Sequence, residues 1–119
     1  MKDREYDLEE KLETFGEKII DLAKKTPKNI VTIPILDQLI RSGTSIGANY
    51  MEANGASSRQ DFRNKIYICK KESKETMHWL RMLARACDLV KDDCRELWNQ
   101  VQGYAKMFSK IGSSLRSKN

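Results

Sequence analysis

Between Arg41 and Glu52 the chain carries no charge: Ser42-Gly-Thr-Ser-Ile-Gly-Ala-Asn-Tyr-Met51. The stretch still keeps a helical period, through Leu36, Leu39 or Ile40, Gly43, Ile46 or Gly47, and Tyr50. Each glycine inside a helix costs about 1 kcal/mol relative to alanine. Two of them four residues apart, set among Ser, Thr and Ala, are therefore poor choices for a solvated helix face. They suit a place where another backbone must come very close, a packing effect that holds in any solvent. The stretch predicts dense helix–helix packing, with the neighbour either in the same chain or in a second subunit.

Three further amphipathic segments accompany it. Leu8, Leu12, Phe15, Ile19 and Leu22 repeat at 4-3-4-3 spacing, which predicts a helix over about 7–25. Glu9, Glu13, Glu17 and Asp21 form an acidic row along it. Thr26-Pro-Lys-Asn29 breaks the pattern, and Pro34 suits the first turn of a helix over about 32–53. Gly55 is placed to stop that helix. Ser58 with Asp61 approximates a capping box for a helix over about 59–89. Its core stripe runs through Phe62, Ile66, Cys69, Ser73, Met77, Leu80, Ala84 and Cys87. Lys91-Asp-Asp93 reads as the next break, with Asp93 and Glu96 capping a last helix over about 94–115 and a frayed tail at 116–119. Only two prolines in 119 residues, and no sustained strand-like alternation, leave helix unopposed. The expected fold is all-α: a single domain, 1–119, forming an antiparallel up-down-up-down four-helix bundle.

Around its circumference, at about 100° per residue, the third segment has more than one function-bearing face. Ile68, Trp79, Met82, Leu83 and Ala86 form a second apolar side, with Glu72 and Glu75 among them. A bundle helix in a monomer needs one apolar stripe, so a second containing tryptophan points to burial against another subunit. With the charge-poor second helix, this predicts self-association through Gly43, Ile46, Gly47, Tyr50, Ile68, Trp79, Met82, Leu83 and Ala86. Scattered surface apolar residues are the ordinary alternative.

A third row contains Arg63, Tyr67, Lys70, Lys74, His78, Arg81 and Arg85, all within about 80° of arc. It can act as a ladder for phosphates, with Tyr67 stacking on a base and His78 adding charge when protonated. It can equally be a solvated face whose cations pair with acids such as the row on the first helix. The formal charge of +5 belongs to the second half of the chain, since no acid follows Glu96. Such charge permits an anionic partner without specifying one.

Chemistry-bearing constellations are sparse. His78 is the only histidine, and its helical neighbours Lys74 and Met82 offer no catalytic pair. Cys69 and Cys87, five helical turns apart, are expected to face the core as small apolar residues, and a zinc site using them with Cys94 and His78 has no close ligand pair. Asn49 can bridge backbones and Glu52 can pair with Arg59 or Arg63, or the two can bind a ligand. No enzymatic activity, metal or cofactor is expected. A charged start without a following apolar run, no bilayer-length apolar segment, and unpaired cysteines predict a cytoplasmic protein with no membrane contact.

Gln38-Leu-Ile-Arg-Ser42, Ser45-Ile-Gly-Ala-Asn49, Glu52-Ala53 and Ser58-Arg-Gln-Asp-Phe62 together carry a resemblance. It continues through Lys65, Lys71-Glu72, Glu75-Thr76 and Trp79-Leu80. In these residues the chain resembles the small bacterial 23S rRNA intervening sequence proteins, also called S23 ribosomal proteins. Many relatives have Ile where this chain has Tyr50, and Gly where it has Ala53. The resemblance implies a four-helix bundle that assembles into a ring-like homopentamer, with a link to ribosomal RNA through the genetic location of such proteins. A similar bundle is the accessory protein of diversity-generating retroelements, where a basic pentamer binds nucleic acid and reverse transcriptase. The expectation is thus a non-enzymatic homo-oligomer that binds RNA or DNA, or a nucleic-acid-handling protein. The alternative is an oligomeric scaffold that binds a protein partner without touching nucleic acid.

Overall fold

The computed structural model describes the backbone of residues 2–117 and the side chains of residues 7–115. Four helices account for nearly all of it: α1 (Lys2–Lys25), α2 (Thr32–Asn54), α3 (Arg59–Ala86) and α4 (Lys91–Ser117), with a short 3-10 turn at Asp88–Val90. No strand occurs among the described residues. The body is elongated, 48 × 24 × 20 Å.

Local chemistry sets most of the boundaries. Before α2, the Asn29 side-chain oxygen accepts from the backbone N–H groups of Val31 and Thr32, each at 2.9 Å. The Thr32 hydroxyl returns the favour, accepting from the Asn29 N–H and donating to the Pro27 carbonyl. Helix N-termini leave N–H groups without partners, and this pair supplies them. Ser58 caps α3 as its sequence suggests, its hydroxyl accepting from the Asp61 N–H at 3.0 Å. Gly55 does end α2, but at φ −98°, so its freedom to adopt positive φ is not what stops the helix.

Four boundaries differ from the sequence reading. Helix α1 begins by Lys2 and not near Asp7, a stretch rich in good helix formers. Helix α3 ends at Ala86, because Cys87 turns to an extended conformation (φ −147°, ψ 104°). Cys87 is therefore a half-buried cap residue, and Leu89 behind it is exposed while Val90 is buried. Lys91-Asp-Asp93 is not a break but the first turn of α4, where Asp92 and Asp93 complement the positive helix end. At the other end α4 stays helical through Arg116 and Ser117, so the expected tail is helical there, and its last two residues lie outside the described ones.

The core is built by Phe15 and Ile19 of α1, Leu39 and Ile46 of α2, Ile66 and Leu80 of α3, and Val101 and Phe108 of α4, all buried. Neighbouring helices meet in reversed order. As α2 advances from Ser42 to Glu52, its α3 partners retreat from Thr76 to Lys65. As α1 advances from Phe15 to Lys25, its α4 partners retreat from Tyr104 to Asp93.

The uncharged stretch finds its neighbour inside the chain. A Cβ on Gly43 would lie 2.9 Å from Cγ1 of Ile19. On Gly47 it would lie 3.4 Å from the carbonyl carbon of Leu12. On Gly16, across the same seam, it would lie 3.6 Å from Cα of Thr44. The other side of α2 meets α3, where the Thr76 hydroxyl donates to the Ser42 hydroxyl at 3.0 Å and both are buried. Gly43, Ile46, Gly47 and Tyr50 of α2, and Leu83 of α3, are thus consumed within the protomer. These five, expected at a surface between copies, are buried among the protomer's own helices.

Candidate nucleic-acid interface

The α3 row occupies the edge of that helix that faces α4. Arg63 and Lys70 are half-buried, Lys74, His78, Arg81 and Arg85 are exposed, and Tyr67 is 68% exposed. Among the described residues none of the five cations is paired with a carboxylate; the ion pairs there involve Lys11, Lys25, Arg41 and Lys65. The acidic row of α1 does not reach them, since α1 packs on α2 and α4. Among the described residues the basic row is therefore a charged edge without ion-pair partners.

Two grooves open along this edge. One, of about 350 Å³, lies between the start of α3 and the end of α4 and includes Arg63, Tyr67, Lys70, Phe108, Ser109 and Gly112. The other, of about 400 Å³, lies toward the opposite end and includes Arg81, Ala84, Lys91, Arg95 and Trp98. In both, cations border a floor of core residues: Ile66 and Phe108 in the first, Leu80 and Cys94 in the second. The sequence reading does not single out Lys91, Arg95 or Trp98, and Lys91 and Arg95 precede the acid-free stretch that follows Glu96. The helix pairing brings them beside Arg81.

The opposite flank of α3 differs in character. Arg41 donates to both Glu72 and Glu75, reaching Glu72 Oε1 at 3.2 Å. Glu72 is only 8% exposed, and burial pushes its carboxyl above the ordinary carboxylate range against the opposing pull of Arg41. These acids are therefore spoken for by α2. Ile68, Trp79, Met82 and Ala86, on the same flank, are half-buried. Trp79 meets the His78 ring edge-on, with centroids 4.7 Å apart. His78 thus has its ring against an aromatic neighbour at the margin between the two faces.

The remaining polar candidates serve structure. Asn49 donates to the Ser45 carbonyl one turn back in its own helix, at 2.9 Å. Glu52 pairs with Lys65 at 2.7 Å, not with Arg59 or Arg63. Arg59 donates instead to the Leu115 carbonyl, tying the start of α3 to the end of α4. Burial pushes the Cys69 and Cys94 thiols up to about 12, which makes both poor nucleophiles. Among the described residues no group of three His, Cys, Asp or Glu side chains is placed to hold a metal ion, and no helix is long and apolar enough to cross a membrane.

These features define a class: a small all-α protein of four packed helices with one basic, grooved edge. Residues 4–110 match the family described as 23S rRNA-intervening sequence protein. The chain belongs to that family. A crystal structure of a protein of unknown function from the S23 ribosomal protein family, from Bacteroides thetaiotaomicron VPI-5482, has the same fold with a TM-score of 0.77. The two are 32% identical over 92% of this chain and 97% of that one. No curated protein matches the chain.

Proposed function

We propose that this protein is a non-enzymatic, cytoplasmic homo-oligomer that binds RNA or other nucleic acid through the α3–α4 edge. The observation that carries the reading is the run of cations without carboxylate partners, Arg63, Lys70, Lys74, Arg81 and Arg85, joined by Lys91 and Arg95 around two grooves. From Arg63 to Arg85 the row extends about 33 Å along the helix. That length suits several consecutive phosphates, and the neutralisation is electrostatic, without base readout. Family membership is in keeping with an RNA-linked role.

The reversed order of contacts between neighbouring helices supports an antiparallel up-down-up-down bundle. For assembly, the apolar side chains left at the surface are the support. Ile33, Ile40 and Met51 of α2 are exposed, and Ile68, Trp79, Met82 and Ala86 of α3 are half-buried. They form the proposed contact between copies in a ring-like oligomer, for which the family resemblance suggests five subunits. Light scattering checks it: a particle of several subunits is expected, and a 13.8 kDa monomer at micromolar concentration removes the assembly.

Gel-shift titration with a generic RNA at two salt concentrations tests the binding. Binding at low salt that weakens steeply at high salt is expected. Absence of binding at low salt favours the second reading, an oligomeric scaffold for a protein partner, which the same exposed apolar residues would serve.

A further inference from the structure

We infer that the groove around Tyr67 receives an unpaired base, so that this edge binds single-stranded nucleic acid in preference to duplex. The inference rests on the reading of the α3–α4 edge as a phosphate-binding surface and specifies its substrate.

Tyr67 is the most exposed aromatic ring among the large apolar side chains left at the surface. It stands between Arg63, one turn before it, and Lys70, nearly one turn after, and all three border the same groove. At about 350 Å³ the groove falls within the range of small-ligand sites, roughly 300–1,000 Å³. Its floor includes the buried Ile66 and Phe108, an apolar base for a flat ring. Its α4 wall is low, because Ser109 and Gly112 carry little or no side chain, and a Cβ on Gly112 would meet nothing within 4 Å. Gln60 and Asn64 add amides that can hydrogen-bond any base edge.

An aromatic platform between two cations matches the repeating chemistry of a single strand. Each base offers a π-face to stack on, and the phosphates on either side fall to the flanking cations. A duplex keeps its bases stacked on one another and presents phosphates, so Tyr67 gains nothing from it. Charge alone would favour the duplex, which carries twice the phosphate density. A single-strand preference therefore reports the aromatic groove and not the basic row.

The test is fluorescence anisotropy with a labelled oligo-deoxythymidine of about 12 nucleotides and a labelled duplex of the same length, at about 50 mM salt. The single strand is expected to bind more tightly. Tyr67→Ala should weaken it by about tenfold, Tyr67→Phe should restore binding, and duplex affinity should stay within about twofold. Gly112→Leu, which fills the groove without changing charge, should weaken the single strand in the same way. If both probes bind the parent and Tyr67→Ala leaves the single strand unchanged, or weakens both probes equally, the base-stacking inference is overturned while the electrostatic reading stands. If neither probe binds the parent, both fall.

Discussion

A methyl group added at Gly43 would press on Ile19 at 2.9 Å, whereas one added at Gly112 would meet nothing within 4 Å. Both glycines lie in helices that face another helix, yet they do opposite work. In the α1–α2 seam, missing side chains let backbones close on each other, and the α2 side of the contact, Ser42 to Met51, carries no charge. In the α3–α4 furrow, missing side chains leave space, and cations with no carboxylate partner among the described residues line its rim. Small residues in a helix thus mark either a tight contact or an opening, and the partner across the gap decides which.

Substitutions sharpen this contrast. The largest effect is expected at Gly43→Val. Its new side chain meets the buried, β-branched Ile19, whose Cβ is itself 3.3 Å from the added atom and has no easy retreat. Overpacking of this kind costs about 1–3 kcal/mol, and the upper end is expected here, read as a lower denaturant midpoint. A parent-like midpoint would mean that the seam is looser than described.

Next comes the polar cluster that binds α2 to α3. Arg41→Met removes the donor between Glu72 and Glu75, and a loss of about 1–2 kcal/mol at neutral pH is expected, below the fully buried case because Arg41 is half exposed. Glu72→Gln keeps an acceptor for Arg41 and removes the buried charge. Because the folded protein holds the Glu72 proton more tightly than the unfolded chain does, the acid's favourable contribution is complete below the ordinary value of 4.5 and is lost as pH rises through the higher folded value. Glu72→Gln should therefore match or exceed parental stability at pH 7, by up to about 1 kcal/mol, with the advantage vanishing in acid. Thermal melts across the pH range check the sign; an advantage that grows in acid would reverse it.

A second stabilising change, no larger than that of Glu72→Gln, is expected on α4. Gly103→Ala lies on α4, where an added Cβ meets nothing within 4 Å. Helix propensity alone should then act, raising stability by up to about 1 kcal/mol in the same denaturant series. Destabilisation at this position would show a contact that the protomer does not contain, such as one with a second copy.

The four helices were legible because a 3.6-residue apolar period survives in every one, and Ser58 and Pro34 announced two starts. The end of α3 was not, since Cys87 continues the apolar period and the apolar Leu89 follows it, although the backbone has already turned. The aspartates after Lys91 read as a break because Asp disfavours helix interiors, and they serve instead as first-turn charges. Gly43 and Gly47 correctly announced close packing. Periodicity tells that a face is buried, not which chain buries it, and here α1 does so. The basic row of α3 was visible on one helical wheel. The share of Lys91, Arg95 and Trp98 was not, because it exists only once α3 and α4 lie side by side.

The central claim is that the α3–α4 edge binds nucleic acid through cations with no carboxylate partners. Its most direct test is the affinity for a generic RNA measured over a series of salt concentrations, for the parent and for Lys70→Glu with Lys74→Glu. Lys74 is exposed and Lys70 only half-buried at the groove's rim, so the double variant should keep its fold and its assembly. The parent's log affinity should fall linearly with log salt, with a contribution of about 0.7–0.9 to the slope per neutralised phosphate. The double variant should bind at least about tenfold more weakly at low salt, with a shallower slope. A double variant that binds as the parent does, or a parent whose affinity ignores salt, would contradict the account.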